Sequence, residues 1–166
     1  SNTWNGVLSG RQEFIQNKAV PFTASIGIEG KVLNYFIVKA NAAQHYRIPT
    51  FNDMYWAKGG NPDLKPESGW SEEFSLIHEH KYKTFAWELG ATVFNRNIDN
   101  WIIWLPNQHG AWSPENVLKV WSRGVEYKVK INYTLGKFNV QLSGMYNYVL
   151  STNEKSRGMN DAVIGK

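Results

Sequence analysis

The chain has 166 residues, a formal net charge of +4 and no cysteine, which excludes disulfide staples, thiolate chemistry and Cys-ligated metals. Charged residues make up only 19% while Trp, Tyr and Phe reach 14%, a balance that fits a large aromatic core, a sugar-binding surface of exposed rings, or the aromatic girdles of a membrane-spanning barrel. Lys and Arg are scattered, as in Lys81/Lys83 and Lys128/Lys130, which argues against a nucleic-acid partner, and no apolar run approaches the roughly 18 residues of a transmembrane helix.

Period-two alternation dominates the chain and points to strands with one apolar and one polar face. A strand is possible near Trp4 to Phe14. The first clear one holds Val20, Phe22, Ala24, Ile26 and Ile28 at even positions, with a tight turn expected at Gly30-Lys31. The return strand, about Val32 to His45, alternates less cleanly. From Trp70 the pattern resumes with Phe74, Leu76 and two His, reverses around Lys81 to Thr84, and continues through Phe85, Trp87, Leu89, Ala91 and Val93. The last pair runs from Trp121 to Tyr133 and, after a turn at Leu135-Gly136-Lys137, from Phe138 to Leu150; Arg123 is the one residue out of pattern. No long helix is expected.

Short turns near residues 30, 82 and 136 alternate with long segments at about 47–70, 97–118 and 151 onward, the arrangement of barrels with short turns on one side and long loops on the other. A strand of about ten residues rises roughly 33 Å, and a tilt near 45° leaves about 23 Å, close to the apolar band of about 25 Å. Alternation alone slightly favours a soluble antiparallel sandwich or up-and-down barrel, although strands in sandwiches usually hold about five or six residues.

One stretch is more specific. Arg47-Ile48-Pro49-Thr50, a variable link, and Asn61-Pro62-Asp63-Leu64-Lys65-Pro66-Glu67, followed by Glu72 and Glu73 in the next strand, resemble the signature of the TonB-dependent outer-membrane receptors. Asn95 to Ile102, Ser122-Arg123-Gly124-Val125-Glu126 and the tail Asn160 to Lys166 are similar to further parts of the same family, so the likeness covers about residue 20 to the end. It implies an all-β fold: an antiparallel meander of long hairpins forming an open segment of an outer-membrane β-barrel. Residues 1–166 would then be a partial barrel domain without the plug domain and terminal strands. The implied function is part of an active-transport receptor for a scarce ligand such as a ferric siderophore, haem or cobalamin. The implied partners are outer-membrane lipid, the imported small molecule, and TonB only through the missing plug, and an isolated piece would be expected to self-associate through its sheet edges. The alternative is a soluble β-sandwich that binds carbohydrate through exposed Trp and Tyr.

The motif residues Arg47, Pro49, Asn61, Pro62, Leu64, Pro66 and Glu67 read as structural. The prolines end strand pairing and stiffen a long connection, Gly59-Gly60 permits a turn, and Arg47 and Glu67 are expected to pair across the loop's ends. Tyr55, Trp56, Trp104, His109 and Trp112 fall in the segments that the resemblance places outside the cell and are the ligand-contact candidates. Glu88, Glu126, Lys128 and Lys130 would face the lumen. His78-Glu79-His80 places two imidazoles on one strand face without an identifiable third ligand. No nucleophile elbow, His-Glu-x-x-His pair or phosphate-cradling loop is present, so no catalytic residue, metal site or cofactor is expected.

Overall fold

The computed structural model describes residues 3–15, 18–106 and 110–154. Seven strands form a single antiparallel sheet: β1 (Trp4–Arg11), β4 (Thr23–Leu33), β5 (Phe36–Arg47), β6 (Glu67–Tyr82), β7 (Phe85–Pro106), β8 (Trp112–Leu135) and β9 (Phe138–Asn153), in the order β1-β4-β5-β6-β7-β8-β9. Two short strands, β2 (Phe14–Ile15) and β3 (Lys18–Ala19), pair as a separate ribbon between β1 and β4, and a short helix α1 (Phe51–Tyr55) lies between β5 and β6. Each successive strand of the main sheet pairs with the one before it, so the sheet is a meander, as the alternation and turn spacing imply. It is one continuous layer rather than the two packed layers of a sandwich, and the soluble carbohydrate-binding alternative finds no support in it.

Cross-strand register gives the sheet two chemically distinct faces. One carries the rows Phe74–Val93–Val125–Tyr148 and Leu76–Ala91–Tyr127–Tyr146, and the other carries Ser75–Thr92–Glu126–Asn147 and Glu79–Glu88–Lys130–Ser143. On the polar face Lys39 pairs with Glu29 at 2.6 Å, Lys128 with Glu88 at 3.4 Å and Lys31 with Glu79 at 3.6 Å. The apolar face ends in aromatic rows: Trp70 and Trp121 toward the long loops, and Tyr82, Phe85 and Tyr133 toward the tight turns. Trp121 and Tyr133 are twelve residues apart along β8, about 40 Å of strand and roughly 28 Å along the normal at a 45° tilt, the height of a bilayer's apolar band.

Among the described residues Leu64, Ile102 and Val120 are the buried hydrophobics, whereas Ile26, Phe74, Leu142 and Tyr146 are among the many large apolar side chains left open. The sheet therefore has almost no core between its strands. Its apolar face requires a lipid neighbour to remove it from water.

Three expectations need correction. The first hairpin turns at Asn34 and Tyr35, between the paired residues Leu33 and Phe36, rather than at Gly30-Lys31. Gly30 lies inside β4 opposite Trp4 and Val38, and a Cβ there would fall 2.2 Å from the Trp4 ring. This glycine makes room for an aromatic ring on the neighbouring strand and forms no turn. Second, the segment 97–118 is mostly strand: β7 runs 22 residues to Pro106 and β8 begins at Trp112. The pair keeps one register from Phe85–Tyr133 to Pro106–Trp112, so the hairpin stands well beyond the membrane. Third, β4 begins at Thr23, which leaves Val20 and Phe22 outside it. The possible strand near Trp4 is real, and the tail Asn160 to Lys166 lies outside the described residues.

Ala91 sits midway across the apolar band. In a receptor carrying this segment, Ala91→Lys is expected to cost about 2–4 kcal/mol in lipid vesicles, against under about 1 kcal/mol for Glu126→Lys on the polar face. Urea unfolding of both variants checks the face assignment, which equal costs would contradict.

Candidate functional site

The connection between β5 and β6 folds back onto the extended β7–β8 hairpin. Arg47 and Glu67 face each other as the last residue pair of the β5–β6 ladder. The Glu67 carboxylate accepts from Arg47 Nε at 2.8 Å and Arg47 Nη2 at 2.5 Å, and its Oε1 also accepts from the backbone N–H of Ile102 at 2.7 Å. The expected pairing across the loop's ends is thus present, and it extends to a third strand. Glu67 is buried and Arg47 about half exposed; donors on both Glu67 oxygens offset the cost of burying them.

A second carboxylate organises the helix. In Thr50-Phe51-Asn52-Asp53 the Thr50 hydroxyl accepts from the Asp53 N–H at 3.1 Å while Asp53 Oδ2 accepts from the Thr50 N–H at 2.9 Å. This reciprocal capping box starts α1 at once after Pro49. Asp53 Oδ1 accepts from the indole of Trp104 at 3.1 Å, and Arg47 Nη1 lies 3.7 Å from Oδ2. Burial opposes ionisation of Asp53, but the Thr50 backbone and hydroxyl, the Trp104 indole and the Arg47 charge outweigh it and hold its carboxyl below the ordinary value.

Asparagines fasten the rest. Asn61 donates from its backbone to the Asp53 carbonyl at 2.8 Å and from its side chain to the Pro114 carbonyl at 3.1 Å, while its Oδ1 accepts from the Asp63 N–H at 3.0 Å. Asn116 accepts from the Lys65 N–H at 2.8 Å and donates to the carbonyls of Lys65 at 3.0 Å and Asn100 at 2.6 Å. Leu64 is buried, as are Ile102 and Val120 of the hairpin. Pro49 is buried, whereas Pro62 and Pro66 are exposed and flank Asp63-Leu64-Lys65 on its two sides. The N–H groups of Gly59 and Gly60 both donate to the Trp56 carbonyl, closing the turn expected there.

Of the ligand-contact candidates, Trp56, Trp104 and Trp112 line one shallow recess of about 350 Å³ together with Asn52. Trp56 and Trp104 meet edge to face with centroids 5.3 Å apart. Tyr55 is exposed and packs on Phe51, centroids 5.0 Å apart, and His109 lies outside the described residues. His78 and His80 belong to the aromatic row near the tight turns: the Trp87 indole donates to His78 Nδ1 at 3.2 Å, and the His80 ring lies 4.5 Å from that of Tyr35. Asp53 and Asn116 were not singled out from sequence. Thr50-x-x-Asp53 is a readable capping signal; Asn116 leaves no local signal because its partners are distant in sequence.

A single antiparallel sheet with one face suited to lipid, an opposite face of ion pairs and a long loop folded over that polar face defines a segment of a transmembrane β-barrel. The chain belongs to the TonB-dependent receptors: residues 1–165 match the family described as "TonB dependent receptor-like, beta-barrel". It is 34% identical over 131 residues to the vitamin B12 transporter BtuB of Photobacterium profundum, covering 76% of this chain and 20% of that protein. To the vitamin B12 transporter BtuB of Vibrio vulnificus (strain YJ016) it is 31% identical over 105 residues, covering 63% of this chain and 16% of that protein. The chain thus spans about a fifth of the curated relatives it matches. The crystal structure of the siderophore receptor PirA from Pseudomonas aeruginosa shares the fold, with a TM-score of 0.61 and 16% identity over 88% of this chain and 35% of that one. The relatives are transporters and receptors, and the family places this barrel segment in the bacterial outer membrane.

Two outcomes follow. Glu67→Ala leaves the Ile102 N–H and Arg47 without their acceptor, a local cost of about 2–3 kcal/mol once the half-exposed Arg47 is discounted. Amide exchange at Ile102 should accelerate about 30- to 150-fold, and unchanged exchange would contradict the role of Glu67. Asp53 has a depressed folded value, so its contribution is full above the unfolded carboxylate value of about 3.9 and fades as pH falls through the lower folded value. Proteolytic nicking of residues 48–66 should therefore rise on acidification below about pH 4, and Asp53→Asn should remove that rise.

Proposed function

We propose that the chain forms part of an active-transport receptor whose imported ligand is a corrinoid of the cobalamin type, ahead of a ferric siderophore or haem. The observation that carries this reading is the Trp56–Trp104–Trp112 recess, held on the loop side of the barrel by the Asp53 and Glu67 network. Aromatic faces with a few polar groups suit a large planar ligand, because rings contribute apolar contact at little conformational cost. Asn52 supplies the polar group at the rim. The likeness to vitamin B12 transporters supports cobalamin over the other two ligands.

In this reading Trp56 and Trp112 meet the ligand, while Trp104 stands behind them with its indole committed to Asp53. Tyr55 extends the contact surface at the exposed side of α1. Energy from TonB reaches the ligand through a plug domain seated against the polar face, where Glu126 and Lys130 remain solvent-facing and Glu88 and Lys128 are paired. Taken alone, the segment self-associates through the outer edges of β1 and β9, which have no neighbour among the described residues.

Titration of the full receptor with cyanocobalamin, followed by tryptophan fluorescence, tests the proposal. Trp56→Ala and Trp112→Ala should each weaken binding about five- to tenfold, the equivalent of about 1–1.4 kcal/mol. Saturable binding of a ferric siderophore with none of cyanocobalamin would overturn the corrinoid reading, and unchanged affinity in both variants would overturn the recess.

A further inference from the structure

Arg123 interrupts the apolar face of β8. It stands two residues beyond Val125, on the same face, where the apolar band gives way to the Trp70–Trp121 row on the long-loop side. Its guanidinium carbon lies 3.5 Å from the centre of the Trp121 ring, and Nη1 donates to the Thr152 hydroxyl at 3.3 Å. Acids on this face include Glu72 and Asp99, and Glu154 stands two residues beyond Thr152, where its N–H donates to the Lys119 carbonyl at 3.0 Å. Glu72 accepts from the Asn95 amide at 2.7 Å, and Asn95 in turn accepts from the Trp121 indole at 2.6 Å. Asp99 stands opposite Lys119, one step of the alternation past Trp121. Among the described residues no carboxylate lies within ion-pair distance of Arg123.

A guanidinium has five N–H donors, and Arg123 uses one in the contact with Thr152. Stacking on Trp121 fixes its plane, so the remaining donors form an oriented fork at the level where apolar chains meet headgroups. Such a fork matches phosphate oxygens two at a time, and the indole beside it is the residue type that settles at that level. The nearest acid is diverted to Asn95, which leaves the cation available.

We propose that Arg123, positioned by Trp121 and Thr152, docks the phosphate-bearing headgroup of an outer-leaflet lipid against the outside of the barrel. The site is independent of the loop recess and of whatever ligand the receptor imports. One oriented cation near a membrane surface corresponds to about a fivefold change in binding of an anionic headgroup.

The test uses the full receptor in neutral detergent, titrated with bisphosphorylated lipid A, with the same lipid stripped of its phosphates, and with inorganic phosphate. The phosphorylated lipid should bind about fivefold more tightly than the stripped one, with inorganic phosphate failing to compete at equal concentration. Arg123→Gln should abolish that difference, and Arg123→Lys should retain part of it, since charge without the planar fork remains. Equal binding of the two lipids by the unaltered receptor overturns the proposal without any variant. So does an Arg123→Gln protein of unchanged thermal stability that keeps the full preference, and competition by inorganic phosphate overturns it by showing an anion site that does not read a lipid.

Discussion

Inside a bilayer each backbone N–H and C=O must be paired within the protein, and a sheet does this only by bonding each strand to its neighbours. That requirement governs the chain. It makes the strands long and continuous, keeps charged side chains to one face across the apolar band, and confines the connections on one side to two residues, as at Asn34-Tyr35, Lys83-Thr84 and Gly136-Lys137. Lys83 and Gly136 adopt positive φ, a backbone that suits tight hairpins of right-twisted strands. Because the apolar face is covered by lipid instead of a second layer, exposed Phe, Leu and Tyr side chains are the expected state of this sheet.

Where β7 and β8 leave the membrane, the same ladder continues in water and one face of it must be covered. The β5–β6 connection provides that cover. Glu67 is the junction, since its two oxygens join the end of β5 through Arg47 to the backbone of β7 at Ile102. Asp53 repeats the device one layer out by joining the cap of α1 to Trp104. The family signature thereby acquires a physical sense: it encodes a loop that lies down on its neighbouring hairpin, and the recess of three tryptophans is a consequence of that docking.

Much of this was legible in the sequence because two-faced strands leave a period-two trace. The six clear strands and the turns near 82 and 136 follow from it directly. The extension of β7 and β8 through 97–118 was hidden for the same reason. Outside lipid the faces no longer differ, as in Asn97, Ile98, Asp99 and Asn100, so the alternation fades although the hydrogen-bond ladder does not. Gly30 misled in the opposite sense, since a glycine that admits the Trp4 ring looks locally like one that makes a turn. Arg123 stood out as a break in pattern, and its reason lies across the sheet in Trp121, Thr152 and Asn95. Docking of the motif loop rests on contacts such as Asn61 with Pro114 and Lys65 with Asn116, which no local pattern records.

Gly59 marks the docking of the loop most closely, because a Cβ on that residue would lie 2.3 Å from the Trp112 carbonyl oxygen and 3.9 Å from the Ser113 Cα. Nitroxide labels on cysteines introduced at Lys58 and Ser113 of the full receptor, in a chain segment with no native cysteine, report this approach by dipolar broadening. Strong broadening with a single short distance is expected. Spectra that equal the sum of the two singly labelled proteins would show the loop standing away from the hairpin and would contradict the docking.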